Sequence, residues 1–199
     1  MPYPDLADYK AWAGITETGD DATLTRLIAA ATAMIEGPQP LGTGRTFYAA
    51  TDTTRQVDWP DGGGRVLPLW DVGELASITT VTNGDGDSTV IPATEYVTHP
   101  RRDGPFYALE LKVGSSYAWE YTDSPEEAIH ITGRWAYSAD VPADIYQAHL
   151  RLVDFMYRSR GGSGDQAVRT EAGIILPSRL PKDIDDILAG YRDILGGEG

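Results

Sequence analysis

The stretch "GRWAYSADVPADIYQAHLRLVDFMYRSRGG", Gly133 to Gly162, decides the fold class. It reads as the end of a strand, a short turn, one amphipathic helix and a glycine stop. Pro142 fits a helix start, because its fixed φ suits the first turn and its missing N–H is not needed there. Ile145, Ala148, Leu152, Phe155 and Met156 recur at helical spacing and predict the buried face. Gln147, Arg151, Asp154 and Arg158 form the other face, with Asp154 and Arg158 spaced i,i+4 for a weak ion pair. A chain that turns from strand to helix here mixes both kinds of element. The unit holds no evident nucleophile, base or metal cluster.

Working outward, the N-terminal segment is helical in texture. "PDLADYKAWAG" puts Leu6, Tyr9 and Ala13 on one face and stops at Gly14. "GDDATLTRLIAAATAMIEG" carries Leu24, Leu27, Ile28, Ala31, Met34 and Ile35 on one stripe. Asp20 and Asp21 stand where an N-cap and a first-turn acid favour the positive helix end. Gly37 and Pro38 end the helix.

From about Gly44 to Trp135 glycine, proline, threonine and aromatic residues replace helical periodicity. Short strands are expected at 65–69, 76–82, 88–91, 95–98, 106–112 and 128–135. Tyr107, Leu109 and Leu111 alternate on one face, as do Ile129, Ile131 and Trp135. Asn83-Gly84 marks a hairpin turn. The expected architecture is α+β: a small antiparallel helical bundle with an inserted antiparallel β domain. The expected segments are 1–43 for the N-terminal bundle helices, 44–136 for the β domain, 137–160 for a bundle helix, and 161–199 for a linker and C-terminal docking helix. In that last segment "RGGSGDQ" reads as a flexible linker and "GIILP" as a short extended piece. "SRLPKDIDDILAGYRDIL" reads as a helix with Leu180, Ile184, Ile187, Leu188 and Tyr191 on one stripe.

The 199 residues carry 30 acidic and 16 basic side chains, a net charge of -14. Gripping DNA depends on Lys and Arg, so this balance argues against a DNA-binding protein and for a self-repelling surface. There is no cysteine, which excludes disulfides and thiolate chemistry. The first residues lack the basic-then-apolar pattern of a signal peptide, and no apolar run is long enough to span a membrane, so a cytoplasmic origin is expected.

Candidate chemistry fails on inspection. "NGDGDSTVIPATE" offers Asn83, Asp85 and Asp87 as positions 1, 3 and 5 of a calcium loop. Ser88 replaces the required glycine, and Thr94 stands where the bidentate Glu belongs. "GTGRTF" and "DGGGRV" lack the Gly-Lys-Ser/Thr ending of a phosphate loop and read as β-domain loops. His99, His130 and His149 are not at metal-ligand spacing from one another. The acid pairs Asp20-Asp21, Glu126-Glu127 and Asp185-Asp186 are adjacent, unlike the spaced carboxylates of a glycosidase cleft. Five tryptophans and eleven tyrosines suit a β core, with a sugar- or partner-binding β module as the alternative reading.

The order of these segments resembles the head–tail connector (adaptor) proteins of tailed phages. "DLADYKAWAGI" and "DDATLTRLIAAATAMIE" resemble that family's opening helix pair, and "GRTF" its Gly-Arg-aromatic exit. "RVLPLWDVGELASITTVTNGDGD" resembles its leucine-proline strand and following hairpin. "TEYV" and "IHITGRWAYSADVPADIYQAHLRLVDFMYRSR" resemble its closing strand, Pro-initiated helix and arginine exit. "EGPQPLGTGR" holds extra residues where many relatives pass directly into Gly-Arg. The resemblance implies a virion protein without catalysis, cofactor or metal. It would sit in the neck, after assembly in the host cytoplasm, as a ring, typically a dodecamer, below the portal protein. It would extend the DNA channel, pass DNA without specific binding, dock a stopper or tail-terminator protein, and need no membrane. The resemblance also places portal or neighbouring-subunit contacts in the C-terminal segment. The candidates are Arg169, Ile174, Ile175, Leu176, Arg179, Ile184, Ile187, Leu188, Tyr191 and Arg192.

Overall fold

The computed structural model describes residues 1–69, 72–85, 89–159, 167–169, 175–177 and 179–192, with the backbone alone at 167–169 and 175–177. The chain divides into two units. One holds Met1–Arg45 and Val141–Gly199, the other Thr46–Asp140. Among the described residues, four α-helices and small antiparallel sheets make the class α+β.

Helix α1 spans Leu6–Ala13. Asp5 caps it, accepting from the Asp8 N–H at 2.9 Å, while Asp8 accepts from the Asp5 N–H at 3.1 Å. Gly14 closes it with φ 68°. Helix α2 spans Asp21–Glu36 and buries Leu24, Leu27, Ala31 and Ile35. Asp20 occupies the N-cap position but does not cap. Its carboxylate accepts the Tyr157 hydroxyl at 2.6 Å instead, a tertiary bond that the local pattern could not show.

Helix α3, Ala143–Ser159, packs against α1 and α2. Its Asp154 holds Arg158 at 2.9 Å and accepts the Tyr9 hydroxyl at 3.3 Å. Burial is wider than the predicted stripe. His149, Leu150 and Val153 join Ile145, Ala148, Leu152 and Met156, because α3 has helices on more than one side. Phe155, predicted buried, is 37% exposed.

Within the second unit, strands β1 (Thr53–Val57), β6 (Ile129–Arg134) and β3 (Ser77–Thr82) form one antiparallel sheet in that order. Strands β2 (Val66–Pro68), β5 (Ala108–Leu111) and β4 (Tyr96–His99) form another. Ile129 and Ile131 from β6 and Leu109 and Leu111 from β5 meet Leu67, Leu75, Val81, Trp119 and Trp135 in one core. Tyr107 is exposed, since it precedes β5 and its ring lies toward His99. The expected strand at 88–91 reduces, among described residues, to a bridge from Val90 to Thr82 and the bond from Ile91 N–H to Val81 O. The turn after β3 places positive φ at Gly84 and Asp85, one residue later than Asn83-Gly84. Asn83 is buried and accepts the Glu120 N–H at 3.1 Å. Strand β1 was not foreseen.

Candidate assembly surface in the C-terminal segment

Helix α4, Lys182–Ala189, has Ile184 and Leu188 one turn apart on its apolar side. Both are buried, against α3 of the same chain. Polar side chains fasten the helix at both ends. Arg151 on α3 reaches Asp183 at 3.1 Å. Tyr191 donates its hydroxyl to the Asp144 carboxylate at 2.8 Å, and Arg45 Nε donates to the Tyr191 carbonyl. Arg192 pairs with Asp185 and donates to the carbonyls of Gly42 and Leu41 at 3.3 and 3.4 Å.

The receiving loop explains "EGPQPLGTGR". Thr43 N–H and hydroxyl both bond to the Ile35 carbonyl, at 2.9 and 2.8 Å, and Gly44 N–H bonds to Gly37 O at 2.8 Å. Thr43 is fully buried. The stretch therefore satisfies the last carbonyls of α2. Its glycines have a steric reason: a Cβ on Gly42 would lie 2.0 Å from the Gly37 oxygen. "GTGR" begins as a helix terminus and not as the β-domain loop that glycine content alone suggested.

Upstream of α4, β7 (Ala167–Arg169) pairs antiparallel with β8 (Ile175–Pro177), with Arg169 opposite Ile175 and Val168 opposite Leu176. The "GIILP" strand has a local partner, which the glycine-rich reading of the preceding residues hid. The linker residues 161–166 and Ile174 lie outside the described residues. Of the sequence candidates, Ile184, Ile187, Leu188, Tyr191 and Arg192 come together on their own chain. Arg169, Ile175 and Leu176 fall in the hairpin. Arg179 is exposed. Arg45 and Asp144, which hold the segment, were missed. Their signal is weak, because each acts across more than forty residues of sequence.

Most of the groups raised as candidate chemistry have structural partners among the described residues. Asp21 pairs with Lys10 at 2.7 Å, and Asp186 with Lys182 at 2.6 Å. Asp85 accepts the N–H groups of Thr122 and Asp123 at 3.0 and 2.9 Å; Asp87 lies outside the described residues. His99 lies 3.0 Å from Glu110, and His130 3.2 Å from Gln56. His149 is buried with Nε2 3.1 Å from both Thr32 Oγ1 and the Ile28 carbonyl. Trp119 and Trp135 are buried, and their indole N–H groups bond to Arg65 O and Thr53 O. Among the described residues no helix is long and apolar enough to cross a membrane.

The fold is similar to that of a chain in the neck of an empty GTA particle computed with C6 symmetry. The TM-score is 0.56 at 19% identity, over 98% of this chain and 92% of that one. A chain in the virion of a native gene transfer agent (GTA) particle gives 0.54 at 20% identity, over 96% and 91%. A chain in the neck of the native particle, computed with C12 symmetry, gives 0.53 at 19% identity, over 98% and 92%. Among curated proteins none matches the sequence. The head completion protein family matches residues 5–194. That match spans nearly the whole chain, so the protein belongs to the head completion protein family and is a structural component of the head–tail connection of a virion.

Proposed function

We propose that copies of this chain close into a ring, a dodecamer, beneath the portal protein in the virion neck. The ring extends the DNA channel and offers its far side to a stopper or tail-terminator protein. The family match over residues 5–194 carries the reading. The likeness to chains of particle necks computed with C6 and C12 symmetry supports a ring. In this role the chain does no catalysis. Asp20, Asp21, Asp85, Asp186 and the three histidines singled out above have packing or pairing duties, which supports a scaffold. With a net charge of -14, the channel wall holds DNA weakly and lets it pass.

The segment from 161 to 192 supplies the portal-facing contact in this proposal, and α4 is the base on which it rides. Because Ile184 and Leu188 are used inside the chain, the exposed Arg179, with Arg169 on the hairpin, is the better candidate to meet portal carboxylates. Cutting the chain after Arg160 would confound docking with folding, since it also uncovers α3. The cleaner test adds full-length protein to DNA-filled, portal-bearing heads assembled without it. The expected result is a ring below the portal that retains DNA, and weaker joining by R169E/R179E with an unchanged melting temperature. Incorporation elsewhere in the particle, or full joining by the variant, would refute the respective parts.

A further inference from the structure

The hairpin between β4 and β5 carries Arg101 and Arg102, both exposed. In a chain with 30 acids, neither has a hydrogen-bond or ion-pair partner among the described residues. Arg101 stands at the rim of an open groove of about 520 Å³ walled by Ile78, Ala93, Tyr96, Val97 and Phe106. The groove lies at the start of β3, where Phe106 N–H bonds to Leu75 O at 2.8 Å. It therefore joins a free positive pair to an apolar trough.

A second corner of the same unit has the opposite character. Asp123, Glu126 and Glu127 are exposed there beside Tyr121, which is 47% exposed and stacks edge-on with Trp59 at 5.5 Å. This corner is tied to the end of β3: Gly84 N–H bonds to Glu120 O at 3.1 Å, and Asp85 holds the Thr122 and Asp123 amides. From Ser77 to Thr82 a strand advances about 17 Å, at roughly 3.4 Å per residue. The two corners lie at opposite ends of β3, so the arginines do not neutralise the acids of their own chain.

We propose that the Arg101–Arg102 hairpin and its groove dock on the Tyr121–Asp123–Glu126 corner of a second copy of this chain. The inference rests on the ring reading above. A closed ring of identical subunits needs two different, complementary patches per copy, joined head to tail. Here the guanidinium groups meet carboxylates and the apolar groove takes the aromatic edge. A DNA backbone would satisfy the arginines but leave the trough uncovered, so a protein surface is the better occupant.

The absence of cysteine makes the test direct. The full chain carrying R102C and E126C together, oxidised at millimolar concentration, is expected to give a ladder of linked species above the dimer. Either substitution alone gives at most dimers. R101E/R102E and D123R/E126R each weaken association roughly tenfold or more, and the chain combining all four recovers it. Native mass spectrometry of the unsubstituted chain separates the two ideas. Multimers by mass without a ladder overturn this interface and leave the ring standing; monomers throughout overturn this interface as a self-assembling contact, and the ring is then judged by joining to portal-bearing heads. Salt-sensitive duplex binding that vanishes in R101E/R102E, with association unchanged, would overturn the proposal and assign the pair to DNA.

Discussion

His149 is fully buried on α3, with Tyr3 5.1 Å from its ring and Nδ1 without a partner. Burial pushes its pKa down to about 4, against which the bond to the Ile28 carbonyl acts only in part. The unfolded chain takes up the proton near the ordinary value of 6.5. Between those values the unfolded state binds the extra proton, so this contribution is complete above about pH 6.5, declines as pH falls, and levels off below about pH 4. By pH 5 it amounts to a loss of about 2 kcal/mol. Urea denaturation at pH 7.5 and pH 5 should show that loss, and His149→Leu should reduce the difference between the two pH values by the same amount. Equal pH dependence in both chains would refute the assignment. The Thr32 hydroxyl donates to the Ile28 carbonyl at 3.3 Å independently of His149, so His149→Leu leaves no orphan acceptor to confuse the result.

Strand β6 sets the first sheet, since both β1 and β3 pair with it. At Gly133 the neighbouring backbone comes so close that a Cβ would lie 2.1 Å from the Ser77 oxygen and 3.0 Å from Leu75 Cδ1. Gly133→Ala is expected to cost about 1–3 kcal/mol by overpacking, read as a lower urea midpoint. Gly114→Ala, which meets nothing within 4 Å, should leave the midpoint unchanged. An equal effect of both would refute the steric account. The alternation of Ile129, Ile131 and Trp135 made β6 legible, because one face is buried along its length. Strand β1 was not legible: in "TTRQV" only Val57 is buried, so an exposed edge leaves no alternating pattern. The same reasoning covers α4. An apolar stripe announces that Ile184 and Leu188 must be covered, but only tertiary structure shows α3 covering them.

At the scale of the whole molecule, the α+β class was readable from the change of periodicity along the chain. Which helix ends and loops close on one another was not, because Arg192 and Gly42 meet across 150 residues. The unit Thr46–Asp140 has its own buried core of Leu, Ile, Val and Trp side chains. Expressed alone, residues 46–140 are expected to unfold in one cooperative transition with protected β-sheet amides. A gradual transition with exposed apolar surface would show that the unit depends on the helices.

Within that unit Tyr137 N–H donates to Thr46 O at 2.7 Å, and the rings of Phe47 and Tyr137 lie 5.6 Å apart. Entry and exit thus form a single seam. A recombination event with both breakpoints at that seam exchanges, lengthens or removes everything between them without cutting a helix or a strand. Exchange of the β region as one cassette is therefore expected to leave the helices encoded on either side uncut.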